Sequence, residues 1–166
     1  MTPPPDPAEF RRVIGAFPTG ITVVTTVAAD GVAHAMTMSA FSSVSLEPLL
    51  VLFCAEKKAR FHDTVLARET WAVSILGEHS EAASSWFATR GRPLEGQLDG
   101  WATHPGAVTG NPILDEAIGA LECRTYAVHD GGDHSIVVGE VLSASTPSDG
   151  GPLLYHRGAY RALKPE

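Results

Sequence analysis

Apolar and polar residues alternate over short distances along most of the chain, as they do in strands. Segments that alternate in this way, or are rich in valine and threonine, predict strand or extended structure at residues 21–28, 32–38, 41–46, 49–55, 71–76, 120–128, 134–145 and 153–163. The run 49–55 is apolar throughout, which predicts a central strand buried on both faces. Asp30-Gly31 predicts a hairpin turn between the first two strands, and residues 130–133 predict a second tight turn.

Helical spacing of apolar residues occurs in three short segments. Asp6-Pro7-Ala8-Glu9 is typical of a helix start, with Asp as the N-cap, Pro at the first helical position and Glu placed to complete a capping box. The apolar residues that follow share one face, so we expect this helix to cover the core: Phe10, Val13, Ile14 and Phe17. Further helices are predicted at 59–69 and 78–88, and 91–110 is loop-like.

The order of these elements predicts a mainly β fold. Strands and helices do not alternate as in a parallel βαβ sheet, and no strand is followed by G-x-G-x-x-G, which argues against a Rossmann nucleotide site. A mainly antiparallel barrel with peripheral helices fits best. The length of 166 residues suits a single domain, which we place at 6–166 after a flexible, proline-rich segment at 1–5.

Composition and charge narrow the class of ligand. The formal net charge is −7 and the twelve Lys and Arg residues are scattered along the chain, so neither nucleic acid nor a membrane is an expected partner. The sequence shows no signal peptide and no apolar run long enough to cross a bilayer, which predicts a cytoplasmic protein. Cys54 and Cys123 lie in apolar runs and are expected to be free thiols.

Residues 36–45 carry five hydroxyl groups between two predicted strands. This segment is either a cradle for a ligand or a solvated sheet edge, because serine is a poor strand former whose hydroxyl needs a partner. A flat polar ring with a phosphate would suit it, with Lys57, Lys58 or Arg60 supplying positive charge. For the two lysines, the alternative is an exposed position at the start of a helix.

The histidines do not have the spacing of a metal site, and no G-x-S-x-G nucleophile is present. His34, His79 and His129 fall where surface positions are expected. Gly132-Asp133-His134 is more suggestive, because a glycine turn before a strand presents both side chains together at the rim of a barrel. Asp133 has the alternative role of capping the turn.

Four blocks in this order resemble the flavin reductase family, which has an FMN-binding split-barrel fold. The blocks are residues 10–26, residues 36–46, residues 132–134 with 138–141, and residues 152–160. Together they span nearly the whole chain. The resemblance implies an antiparallel split β-barrel of Greek-key type, a homodimer with flavin sites near the subunit interface, and hydride transfer from NADH or NADPH to an exchangeable FMN or FAD. It also implies that the reduced flavin serves a partner flavin-dependent monooxygenase.

The resemblance also implies site residues. For the flavin they are Thr19, Met36, Thr37, Met38, Ser39, Ala40, Ser42, Ser43, Cys54, Ala55, Lys58 and Ala59. Gly132, Asp133 and His134 correspond to the turn associated with the nicotinamide, with His134 as the catalytic candidate, and Tyr160 is expected to line the cleft.

Two positions depart from the family pattern. Pro48-Leu49 replaces a double proline, and Lys57-Lys58-Ala59-Arg60 stands where many members have Ser or Thr near the phosphate, so the resemblance does not assign the phosphate ligand. The alternatives are a related split-barrel flavoprotein, either pyridoxamine phosphate oxidase-like or a deazaflavin-dependent reductase, and a flavin carrier without turnover. The two split-barrel relatives bind more anionic ligands, so their sequences would be expected to show a denser cluster of basic residues than this one does.

Overall fold

The computed structural model describes residue 4 and residues 6–163. Most of the predicted flexible segment 1–5 therefore lies outside the described residues. Three helices occur in the described part: α1 Pro7–Ile14, α2 Arg60–Leu66 and α3 Glu81–Ala88. The strands are β1 Thr19–Gly20, β2 Thr22–Val27, β3 Ala33–Met38, β4 Phe41–Leu46, β5 Leu49–Glu56, β6 Thr70–Leu76, β7 Thr103–Pro105, β8 Pro112–Leu114, β9 Ala117–Gly131, β10 His134–Ser145, β11 Leu154–His156 and β12 Ala159–Arg161.

Seven of these strands form one antiparallel sheet in the order β3-β2-β6-β9-β10-β5-β4. The small sheet β1-β11-β12 and the hairpin β7-β8 accompany it. The predicted mainly β, antiparallel fold is confirmed. The hairpin at Asp30-Gly31 is also confirmed: Gly31 has φ 86°, and the Val32 amide donates to the Asp30 carboxylate at 2.9 Å.

Two details of the strand prediction are wrong. Strand β5 lies next to the edge strand β4 and buries alternate residues, so it is not a central strand covered on both faces. Its core-facing residues are Val51, Phe53 and Ala55. The expected loop at 91–110 contains β7, whose three residues are too few to produce a periodic signal.

Helix α1 begins as predicted but does not cover the core. The Asp6 carboxylate accepts from the Glu9 amide at 2.8 Å, while the Glu9 carboxylate pairs with Arg12 and leaves the capping box half made. The apolar face is exposed, by 59% at Phe10, 60% at Val13, 52% at Ile14 and 69% at Phe17. The core is completed by strands, α2 and α3, so this face finds no partner in the part of the chain that the structure describes.

The largest buried side chain, Trp71 of β6, organises the centre of the core. Its ring meets Phe53 edge to face at 4.9 Å, and its indole N–H donates to the Thr125 hydroxyl at 3.1 Å. Gly139 of β10 lies directly beside this ring, because any side chain there would enter the volume of the indole. Both cysteines are free as predicted, and burial raises the pKa of Cys123 to about 12.

We expect Gly139→Ala to lower the free energy of unfolding by about 1–3 kcal/mol, because overpacking forces a buried ring from its position. The new Cβ would lie 2.6 Å from Cη2 of Trp71 and 3.2 Å from Cβ of Cys123. Urea denaturation measures the effect. Gly20→Ala is the matched control, since nothing lies within 4 Å of its added Cβ. Equal losses in the two variants would contradict this account of Gly139.

Candidate functional site

A cavity of about 310 Å³ opens between β3, the loop that joins β5 to α2, and the segment after α3. Four predicted flavin residues line it: Met36, Thr37, Lys58 and Ala59. The polar lining residues outside the predicted site include His34, Glu56, Arg60, Arg90, Arg92 and Gln97. The cavity therefore joins three segments that lie between His34 and Gln97 in the sequence.

Positive charge is concentrated in this cavity. Lys58, Arg60, Arg90 and Arg92 all line it, although the first two lie before α2 or at its start and the other two lie after α3. Four of the twelve basic residues, which are scattered along the chain, are thus close together in space. The absence of a basic cluster in the sequence therefore no longer argues against the split-barrel relatives that bind more anionic ligands. The fold gathers four basic side chains at one cavity of an acidic protein.

Three of the four cations have no carboxylate partner among the described ion pairs. Only Arg90 is paired: its Nη2 donates to both Glu56 oxygens, at 3.0 and 2.9 Å. Arg92 donates to neutral acceptors, the carbonyls of Ala35 and Thr89 and the side chain of Gln97. Burial, with a contribution from Arg60, lowers the pKa of Arg92. Charge held in this way without a counterion favours binding of an anion.

His34 is buried against this cluster, so its predicted surface position is wrong. The imidazole is only 7% exposed, and its Nδ1 lies 2.9 Å from the Thr64 hydroxyl of α2. Burial lowers the pKa of His34, and together with the charges of Arg60 and Arg92 it outweighs the opposing charge of Asp30. The lowered pKa favours the neutral form of the ring. Its place near the end of a hairpin gave no sign of this burial.

The hydroxyl-rich segment runs from the cavity along the edge of the sheet. Met36 and Thr37 line the cavity, whereas Ser39, Ala40, Ser42 and Ser43 are exposed. The Cys54 amide donates to the Ala40 carbonyl at 3.1 Å, so the link between edge strands β3 and β4 lies against β5. The two predicted flavin segments are neighbours in space. The side chains of Met38 and Ala55 lie instead in the core.

The Gly132-Asp133-His134 turn lies at the same end of the sheet as the loop after β5. Strands β10 and β5 pair in a register that places His134 opposite Glu56. Asp133 Oδ1 and His134 Nδ1 are 2.7 Å apart, and this contact lowers the pKa of the Asp133 carboxyl. The turn is capped by Asp130, whose carboxylate accepts from the Gly132 amide at 3.4 Å. Because Asp130 caps the turn, the Asp133 carboxylate is available to contact the His134 ring.

Thr19 and Tyr160 do not line the cavity. Thr19 of β1 pairs with Tyr155 of β11. The Tyr160 hydroxyl lies 2.9 Å from the Ser84 hydroxyl of α3, whose carbonyl accepts from Thr37 Oγ1 at 2.6 Å. Tyr160 is thus connected to the cavity wall through one intervening residue.

The described residues contain no group of three His, Cys, Asp or Glu side chains that could hold a metal ion. Within the same residues, no helix is long and apolar enough to cross a membrane. What the site offers chemically is a cationic cavity, a polar edge of hydroxyls and backbone, and a histidine turn at the rim. These features suit a nucleotide with a flat ring and a phosphate.

Comparison with known proteins agrees with this arrangement. The model of the flavin reductase like domain matches residues 14–164. The reductase subunit HsaB of a flavin-dependent monooxygenase from Rhodococcus jostii is 36% identical over 161 residues, covering 97% of this chain and 80% of that protein. An NADH-dependent FAD reductase of Streptomyces globisporus is 38% identical over 167 residues, covering 100% of this chain and 91% of that protein.

Solved structures extend the comparison to the fold. The NADH:FAD oxidoreductase SgcE6 of S. globisporus, in complex with NAD and FAD fragments, has a TM-score of 0.90 and 37% identity, covering 97% of this chain and 94% of that one. BorF, the flavin reductase component of a bacterial two-component tryptophan halogenase, has a TM-score of 0.88 and 36% identity, covering 97% and 100%. The chain belongs to the flavin reductase family.

Proposed function

We propose that this chain uses NADH to reduce freely exchanging FMN or FAD, and that the reduced flavin passes to a partner flavin-dependent monooxygenase. The observation that carries this proposal is the register of β10 on β5, which brings the Gly-Asp-His turn to the rim of the cation-lined cavity. Relatives of similar length are named as NADH-dependent flavin reductases and as monooxygenase reductase subunits. Both kinds of observation support the same reaction.

The flavin phosphate is assigned to the cationic end of the cavity. Lys58, Arg60 and Arg92 would bind it, since they carry charge without a carboxylate partner among the described ion pairs. Arg92 is held in place by backbone carbonyls, so its guanidinium is oriented before any ligand arrives. A charge-assisted contact of this type is stronger than a neutral hydrogen bond. This assignment replaces the Ser or Thr of the family pattern with basic side chains.

The flavin ring is assigned to the edge that runs from the cavity along Ser39, Ala40, Ser42 and Ser43. Hydroxyls and free backbone groups there can meet the polar side of the ring. Met36, Thr37, Cys54 and Ala59 border the same edge, whereas Met38 and Ala55 support it from the core. Nicotinamide supplies a hydride and flavin accepts it, so the chain's task is to hold two flat rings in contact.

The nicotinamide is assigned to the turn, with His134 as the contacting side chain. The charge of the turn favours NADH over NADPH. Asp130 and Asp133 both lie there, and hydrogen bonds keep the pKa of each carboxyl low, so both are ionised near neutral pH. Asp130 is paired with Lys57, whereas Asp133 has no Lys or Arg partner among the described ion pairs, so the extra 2′-phosphate of NADPH would be repelled by the Asp133 carboxylate. Relatives named for their nicotinamide use NADH.

We infer that the seven-stranded sheet forms the split barrel expected for the family. The two edge strands, β3 and β4, are joined by only Ser39 and Ala40, and the Ala40 carbonyl accepts from β5. A short link between opposite edges requires the sheet to curl toward closure. The cavity then lies where the two edges approach each other.

We also infer that the enzyme acts in the cytoplasm, where a reducing environment keeps Cys54 and Cys123 as thiols. Recovery of the native enzyme from the culture medium or the membrane fraction would contradict this assignment.

The proposed reaction predicts steady NADH oxidation with catalytic amounts of FMN or FAD, and much slower oxidation of NADPH. Riboflavin should have a KM at least about tenfold higher than FMN, because it lacks the phosphate that the cation cluster binds. A spectrophotometric assay with each nicotinamide and flavin in turn measures all of this. A stoichiometric flavin complex without turnover would establish the carrier alternative instead.

His134→Ala is expected to raise the KM for NADH about tenfold and to change the KM for flavin by less than twofold, because the histidine contacts only the nicotinamide. His104→Ala is the control: it removes another exposed His–Asp pair, with Nδ1 2.6 Å from Asp115 Oδ1, away from the cavity. Equal increases in both KM values for His134→Ala would indicate a structural role for that residue.

We propose that the exposed apolar face of α1 packs against a second copy of the chain, since a monomer rarely leaves such a face in water. Sedimentation should give twice the mass of one chain. Ile14→Asp places a charge in this face and should shift the protein to monomer, while Ala8→Asp, on the opposite face, should leave the dimer intact. A monomeric native protein would contradict the proposal.

A further inference from the structure

The Gly132-Asp133-His134 turn is fastened to the loop after β5 by one residue, Lys57. The Lys57 amide donates to the Asp133 carbonyl at 3.0 Å. Its ammonium group donates to the Gly132 carbonyl at 2.7 Å and forms an ion pair with the Asp130 carboxylate. Two of these contacts are made to the turn, and the third is made to Asp130 at the end of β9. Lys57, unlike Lys58, does not line the cavity.

The strand ladder alone does not hold the tip of this hairpin. The pairing of β10 with β5 ends at His134 and Glu56, and the pairing with β9 ends at His134 and Gly131. Gly132 and Asp133 lie beyond both ladders. In the described part of the chain, every hydrogen bond that joins these two residues to a segment outside the hairpin comes from Lys57.

A second hydrogen bond holds Ser135, the residue that follows His134. Ser135 Oγ lies 2.9 Å from Nε2 of His62, and both residues are buried. His62 belongs to α2, which begins at Arg60 of the cavity wall. The two chain neighbours of His134 are therefore anchored to the same segment, residues 57–62, which also borders the flavin cavity.

An exposed glycine tip is otherwise a mobile part of a fold, because it has few packing contacts and a large backbone entropy. Gly132 is exposed and has φ 78°. Bonds that fix such a tip before the ligand arrives reduce the cost of ordering it on binding. Fixing the tip against the cavity wall also sets the distance between the two ligands, on which hydride transfer depends.

We propose that Lys57 is a positioning residue that locks the nicotinamide turn against the flavin cavity, whereas its neighbour Lys58 serves the flavin itself. This inference rests on the proposed role of the turn in binding nicotinamide. The adjacent lysines thereby have separate tasks: one ammonium group points to the hairpin tip and the other borders the cavity.

The separation of tasks is tested by substituting each lysine alone. Lys57→Met keeps the backbone amide bond and removes the two ammonium contacts. It should raise the KM for NADH about threefold to tenfold and leave the KM for FMN within about twofold. Lys58→Met should give the reverse pattern. Lys57→Arg should restore most of the NADH affinity, because its guanidinium can reach both acceptors.

Two further measurements distinguish positioning from loss of stability. Amide hydrogen exchange at residues 131–134 should be faster in Lys57→Met, while the Tm changes by no more than about 2 °C, since the ion pair is exposed. Asp130→Asn removes the same ion pair from the other side and should raise the KM for NADH as well. Arg124→Met is the matched control, because it breaks another exposed ion pair between β9 and β10, with Glu140, away from the turn.

The outcomes separate this inference from the proposed function. An unchanged NADH KM in Lys57→Met, in a protein where His134→Ala raises it, would overturn the role of Lys57 and leave the nicotinamide site in place. An unchanged NADH KM in both variants would overturn the assignment of the turn itself, and with it this inference. Equal increases in the NADH and FMN KM values would also overturn it, because they indicate a general disturbance of the site.

Discussion

The pairing of β5 with β10 is the interaction on which the site depends. Seven residue pairs join the two strands, from His134 opposite Glu56 to Glu140 opposite Leu50. Side chains alternate between the faces of a strand, so a slip of one residue would turn Phe53 out of the core. A slip of two residues would preserve the faces and move His134 about 7 Å along the strand, away from the cavity rim. The core and the site therefore require the same register.

The packing around Trp71 helps to secure this register. Gly139 pairs with Val51 and leaves the space that the indole occupies, and Phe53, two residues further along β5, meets the edge of the ring. A different pairing would bring a larger residue of β10 against the ring. Only glycine fits beside the Trp71 ring at position 139, and this requirement helps to align His134, five residues away at the turn, with Glu56.

Electrostatics divide the site into two ends. Lys58, Arg60 and Arg92 give the cavity an excess of positive charge, while the turn carries the Asp133 carboxylate and an Asp130 carboxylate that is paired with Lys57. Keeping a half-buried guanidinium without a carboxylate is unfavourable in the free protein, and a bound phosphate would relieve that cost. The ligand proposed for the turn is a nicotinamide ring, which is neutral or cationic. This distribution of charge supports the two proposed ligand positions, the flavin phosphate in the cavity and the nicotinamide at the turn.

The sequence by itself determined the local elements and, through the ordered blocks, the family. Alternation predicted most strands, Asp30-Gly31 the first hairpin, and Gly132-Asp133-His134 the turn, because these signals depend on residues close in the chain. The cation cluster, the burial of His34, the tie from Lys57 to the turn and the exposed face of α1 were decided by the tertiary structure. Each depends on which distant segments meet, and neither the periodicity nor the composition of a segment specifies its neighbours in space. The spacing of Arg60, Arg90 and Arg92 along the chain has no pattern, yet the fold brings all three to one cavity.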